Sequence, residues 1–206
     1  MRIGIDFDNT IACYDGVFHR AALERGIVPV DLPRSKNAVR DYLNGSGRKD
    51  EFTELQGHVY GARMDLVSCY PGVHDFIRAA RRSGHVLSVV SHKTRNPILG
   101  PKYDMHVSAR DFLVSQRLVG TGMLDPDHIH FALTKEEKVA RAAVLDCEVF
   151  IDDLPEILAM PGFPAGFRAI LFDPGGSFLH QQVFERHSSW ADIERALLGP
   201  SSASAA

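Results

Sequence analysis

Five short runs of apolar and β-branched residues punctuate the chain: Arg2–Asp8, His85–Ser91, His128–Leu133, Cys147–Asp153 and Arg168–Asp173. Several are continuously apolar instead of alternating, which is the pattern of a strand buried on both faces, and the stretches between them carry helical spacing. Together they predict an α/β fold with a doubly wound parallel sheet covered by helices on each side. The runs end in Asp8, Ser91, Asp153 and Asp173. Polar groups therefore gather at strand C-termini, the edge at which open parallel sheets bind ligands.

Between the first and second strands lies a segment too long for a simple crossover helix. Phe18, Ala21, Ala22 and Leu23 give one amphipathic pattern, Val39, Tyr42 and Leu43 a second, and Phe52, Leu55, Val59 and Tyr60 a third. The expectation is a small helical insertion over residues 14–70, with the core formed by 1–13 and 71–198. Pro71-Gly72 restarts the core and opens a helix Val73–Arg82 that stops at Gly84. The Ser/Ala-rich end, 199–206, reads as a disordered tail.

With 206 residues there is room for one sizeable domain carrying an insertion, and 45% apolar with 24% charged residues is an ordinary globular balance. The 23 basic and 26 acidic residues are spread along the chain, giving a formal charge of -3 and no footprint for duplex nucleic acid or an anionic membrane. No leader-like or membrane-length apolar stretch is present, which predicts a cytoplasmic protein. Cys13, Cys69 and Cys147, odd in number and far apart, fit reduced thiols better than a disulfide frame or a zinc site.

Against this background four polar clusters stand out. Asp6 and Asp8, two apart at the end of the first strand, fall on one side of the chain, and such crowding calls for a cation or a shared proton. Asp152-Asp153 ends the apolar run that begins at Cys147, where the strand anchors both carboxylates near the core. With Asp6 they would supply hard oxygen ligands of the kind Mg²⁺ takes. Ser91-His92, at the end of the second strand, offers a hydroxyl and loop N–H groups for phosphoryl oxygens. Finally, Thr134 and Glu137 form a capping pattern that brings Lys135 and Lys138 into the first turn of a helix, an unfavourable place for a cation unless an anion compensates it. Lys138 is the preferred partner and Lys135 the runner-up.

The order Asp6-x-Asp8-x-Thr10, Ser91, Lys138, Asp152-Asp153 resembles the four ordered motifs of the haloacid dehalogenase-like hydrolase superfamily, over about residues 1–13 and 71–175. The insertion sits where members carry a cap of the first type. The resemblance implies a Rossmann-like core with a small helical cap and a Mg²⁺-dependent phosphatase acting on a small phosphate monoester. Asp6 would be the nucleophile that forms an aspartyl-phosphate, and Asp8 the general acid and base. Ser91, His92 and Lys138 would bind the phosphoryl group. Mg²⁺ would be held by Asp6, the backbone carbonyl of Asp8, Asp153 and Asp152. Asn9, where many members have glycine, and Asp-Asp in place of Gly-Asp depart from the common pattern while keeping the carboxylates.

The implied partner is a small phosphorylated metabolite or nucleotide. Lys36, Arg63 and Arg95 are candidate contacts to an anionic substrate. Two readings from other classes remain: a phosphorelay receiver-like switch, whose acidic pair would follow the first strand instead of a late one, and a binding module that keeps the fold without turnover.

Overall fold

The computed structural model of the chain describes residues 1–199, so the expected tail lies outside the described residues except for Gly199. The chain divides into two compact units, one of residues 1–11, 69–92 and 117 onward, the other of 12–68 and 93–116.

In the first unit, β1 (Arg2–Ile5) is the third strand of a six-stranded sheet. After the short β2 (Ala12–Cys13) and β3 (Ser68–Cys69), which pair as a ribbon of their own, come β4 (Val86–His92), β5 (Ile129–Ala132), β6 (Val149–Asp152), β7 (Arg168–Phe172) and β8 (Glu185–His187). The sheet order is β5-β4-β1-β6-β7-β8, and every neighbouring pair is parallel. Ile5 pairs in register with both Val89 and Ile151, so the ends of β1, β4 and β6 lie side by side. Five of the six strands coincide with the apolar runs. The sixth, β8, reads Glu-Arg-His and has no apolar signature. It is an edge strand held partly by ion pairs, with Arg168 in a two-pronged bridge to Glu185 at 2.6 and 2.7 Å.

Strand alternation assigns the two faces. On one, Val90, Phe150 and Leu171 pack with Ala142 of α6 (Lys135–Val144) and Leu158 of α7 (Pro155–Leu158). On the other, Phe172 meets Trp190 of α8 (Trp190–Leu198), which in turn packs on Phe76 of α4 (Val73–Arg82). These helices on both faces make the core doubly wound, as the continuous apolar strands predict. Gly4 is the small residue that lets the sheet close on Phe150: a Cβ there would lie 2.4 Å from Cδ2 of that ring. Gly4→Ala is therefore expected to cost roughly 1–3 kcal/mol through overpacking. Urea unfolding checks this, and a loss below about 0.5 kcal/mol, the range of an inconsequential surface change, would mean that Phe150 moves aside freely.

The second unit is helical, built from α1 (Val17–Glu24), α2 (Lys36–Gly45), α3 (Lys49–Ala62) and α5 (Met105–Ser115). Its core gathers Phe18, Val39, Leu43, Phe52, Leu55 and Val59 from the first three helices. The sequence reading assigns 93–116 to the core, whereas the fold groups this segment with the helices. The cause is close packing on two glycines of α3. Gly57 leaves room for Pro97 and Gly61 for Tyr103, while the Ser108 hydroxyl donates to the Gly61 carbonyl at 2.7 Å. Among the described residues no helix is long and apolar enough to cross a membrane.

Candidate active site

The site is assembled in the first unit at the C-terminal edge of β1, β4 and β6. Asp6 follows β1 directly, and its backbone N–H donates to the Ile151 carbonyl at 2.9 Å, which carries the sheet ladder one step past the strand. The chain then turns sharply, with Ile11 N–H donating to the Phe7 carbonyl at 3.0 Å and Asn9 in the left-handed region at φ 56°. Asn is among the few residues besides glycine that tolerate this conformation, which accounts for an asparagine at this turn. The turn is pinned from below by the Trp190 indole N–H, which donates to the Thr10 carbonyl at 3.0 Å.

Asp152, the last residue of β6, and Asp153 beside it complete an acidic group with Asp6. One carboxylate oxygen from each of the three lies within 4.8 Å of the others, and no other such group of three potential ligands occurs among the described residues. Lys138 is the counter-charge. Its Nζ donates to Asp6 Oδ1 at 2.6 Å and to Asp152 Oδ2 at 2.5 Å, above the Phe150 ring with 5.6 Å to its centroid. The helix start positions it. Thr134 caps α6 by accepting from Glu137 N–H at 3.1 Å, and Glu137 accepts from Leu133 N–H at 2.8 Å, so Lys138 comes one turn in, on the buried face with Ala142. Lys135, at the first position, instead lies 3.6 Å from Glu156 with its side chain 43% exposed.

The electrostatics follow from this crowding. Burial works against the Lys138 ammonium, but Asp6 and Asp152 together outweigh it and raise its proton affinity. Burial also pushes the Asp152 carboxyl up, against the pull of Lys138. Asp152 is nonetheless fully engaged, because its second oxygen accepts from Leu154 N–H at 3.0 Å. Asp153 is the group left to answer for the excess negative charge: burial first, then Asp6 and Asp152, push it up to about 9. Such a carboxyl takes either a proton or a cation, and three clustered carboxylates with one lysine fit a hard divalent ion such as Mg²⁺.

A pH dependence results. Without metal, folding places a proton on Asp153 that the unfolded chain does not hold, so stability is greatest in the ordinary carboxylate range and declines as pH rises toward about 9. A cation must displace that proton. Mg²⁺ affinity measured by calorimetry is expected to rise, by up to about tenfold per pH unit around neutrality. A flat profile would show that Asp153 is already ionised in the metal-free protein.

Ser91 belongs to β4, two residues beyond the Ile5–Val89 register pair. Its hydroxyl is buried and has no hydrogen-bond partner among the described residues, which marks a polar atom awaiting a ligand. His92 goes elsewhere, its Nε2 donating to the Leu133 carbonyl at 3.1 Å. Asp8 is half-buried in the turn after β1. Asp173, which the sequence pattern groups with the strand-end polar residues, is structural: its two oxygens accept from Ser177 N–H at 2.8 Å and Phe178 N–H at 3.0 Å.

No protein-family model matches the sequence, and no curated protein matches it either. Solved structures do. A predicted phosphatase from Clostridium acetobutylicum superposes with a TM-score of 0.61 at 16% identity, over 97% of this chain and 98% of that one. A HAD family hydrolase from Deinococcus radiodurans, solved with bound phosphate and sodium, gives 0.60 at 18% identity over 95% and 94%. Protein Tyrosine Kinase A of Mycobacterium tuberculosis gives 0.62 at 18% identity over 96% and 97%. The fold of this chain is that of the haloacid dehalogenase-like hydrolases.

Proposed function

We propose that the protein is a Mg²⁺-dependent phosphatase that hydrolyses a small phosphate monoester through an aspartyl-phosphate on Asp6. The observation that carries this reading is the meeting of Asp6, Asp152 and Asp153 from β1 and β6 around the buried Lys138. Asp6, Asp153 and the Asp8 carbonyl would hold the metal, with Asp152 orienting Lys138. Bound there, Mg²⁺ supplies positive charge that offsets the negative charge of the phosphoryl group and the carboxylates.

The chain's own groups carry the reaction. An Asp6 carboxylate oxygen attacks phosphorus, forming an Asp6–phosphorus bond while the bond to the ester oxygen breaks, and Asp8 gives that leaving oxygen its proton. Asp8, now ionised, takes a proton from water as the water attacks phosphorus. The Asp6–phosphorus bond then breaks, returning Asp6 and releasing inorganic phosphate. Lys138 keeps Asp6 in place, and the Ser91 hydroxyl donates to a phosphoryl oxygen. A small phosphorylated metabolite or nucleotide is the proposed substrate, because members of this superfamily use an insertion after the first motif as a cap over such esters.

The test is hydrolysis of an aryl phosphate by the purified protein with Mg²⁺, with trapping of phosphate on Asp6 by acid quench and peptide mass analysis. Activity unaffected by chelation, or phosphate found on another residue, would overturn the assignment. A receiver-like switch would be phosphorylated without sustained turnover, and a binding module would show neither.

A further inference from the structure

The turn from Asp6 to Ile11, which carries Asp8, is fastened at its far end by two donors from distant parts of the first unit. The Trp190 indole N–H donates to the Thr10 carbonyl at 3.0 Å, and the Tyr70 backbone N–H donates to the Ile11 carbonyl at 3.0 Å. The Thr10 side chain adds no hydrogen bond of its own: the residue is fully buried, and its hydroxyl has no hydrogen-bond partner among the described residues. Thr10 is therefore held by polar contact through its main chain, two residues past Asp8.

A buried indole N–H needs an acceptor, and any loop carbonyl within reach would satisfy it. What sets this contact apart is how little freedom the donor has. Trp190 is fully buried, with its ring centroid 4.9 Å from that of Phe76 and 5.6 Å from that of Phe172. Phe172 in turn meets Tyr70 edge-on at 4.9 Å, so the residues that supply the two donors belong to one aromatic cluster. Gly72 lets the main chain come close, since a Cβ there would lie 3.0 Å from the Cβ of Trp190. Trp190 also opens α8, whose start is fixed by Ser189 accepting from Asp192 N–H at 3.1 Å. A side chain locked by packing in this way gives the turn a fixed point to bond to.

We propose that Trp190 is a positioning residue for Asp8: its N–H fixes where the turn places the Asp8 carboxyl and backbone carbonyl. Under the proposed function, on which this role rests, those groups give the leaving oxygen its proton and help to hold the metal. Misplacing a reacting group by about 1 Å costs on the order of 10²-fold in rate, so a tether two residues away bears on turnover without touching substrate.

The test is Trp190→Phe in the full-length protein, which keeps an aromatic ring and removes the donor. Trp190 is the chain's only tryptophan. Should the variant not fold, biosynthetic replacement of tryptophan by 3-benzothienylalanine, with sulfur in place of the indole N–H, therefore removes the same single donor at nearly constant shape. Two readouts are expected to move, both taken well below the melting temperature so that loss of fold does not enter. In EDTA, hydrogen exchange of the Ile11 amide, which donates to the Phe7 carbonyl, rises at least about tenfold, while that of the Asp6 amide, bonded to Ile151, does not. With Mg²⁺ and an aryl phosphate, kcat falls at least about tenfold and KM changes less than about threefold, the pattern of an interaction lost in the transition state. An unchanged Ile11 exchange rate, or an unchanged kcat in folded protein lacking the N–H, would overturn the positioning role. A wild type that hydrolyses no ester refutes the proposed function instead, and the exchange measurement then decides whether the indole holds the turn.

Discussion

The Asp6→Asn variant is expected to lose turnover by about 10⁴-fold or more, the scale on which removing a nucleophile acts. The amide matches the carboxylate in shape, and its oxygen can still accept the hydrogen bond that Lys138 gives Asp6 at 2.6 Å. Stability should move the other way in the absence of metal. Asp6 is one of the charges that raise the Asp153 carboxyl, so removing it relieves the repulsion. Thermal unfolding in EDTA is expected to show a melting temperature equal to or above that of the wild type. Lost activity with an undiminished melting temperature separates a chemical role from a folding defect, and retained turnover would remove Asp6 from the nucleophile's place.

Lys138→Met should act on stability first. Lys138 is 2% exposed and contacts both Asp6 and Asp152, so its removal leaves two buried carboxylates without their ammonium. Breaking a buried ion pair from one side costs about 3–5 kcal/mol, because the remaining charge stays buried. For a chain of this length that corresponds to a melting temperature lower by roughly 6–20 °C. The raised proton affinity of Lys138 means its contribution is complete below the ordinary lysine pKa and is lost only as pH climbs above it, so an assay at neutral pH reads the whole effect. Mg²⁺ should restore part of the loss by neutralising Asp6. A change under about 1 kcal/mol in EDTA, no larger than an exposed ion pair gives, would show that the carboxylates do not depend on the lysine.

Much of the core was legible because a buried parallel strand announces itself by continuous apolar residues, and five strands did so. The edge strand β8 did not, since Glu185, Arg186 and His187 hold their place through charge instead of burial. At the site, Asp6 and the Asp152-Asp153 pair stood out because carboxylates at the ends of apolar runs are costly without a partner. The choice between Lys135 and Lys138 turned on helical phase, three residues that separate a half-exposed face from a buried one. The His92 ring goes to the Leu133 carbonyl, so what the sequence reading asks of this position falls to its backbone N–H. Asp173 shows the hazard of reading strand ends alike, a carboxylate that serves its own loop and Arg186 of β8.

The segments 12–68 and 93–116 leave the sheet after different strands yet fold as one helical body. A domain-deletion experiment must respect this. Cutting out only 12–68 would strip α5 of the partners that cover Met105, Ala109, Phe112 and Leu113, and the truncated chain would present a sticky helix to solvent. A soluble minimal core requires two excisions, each closed by its own linker, and the same double dependence makes a clean exchange of this helical body between proteins a matter of moving both pieces together.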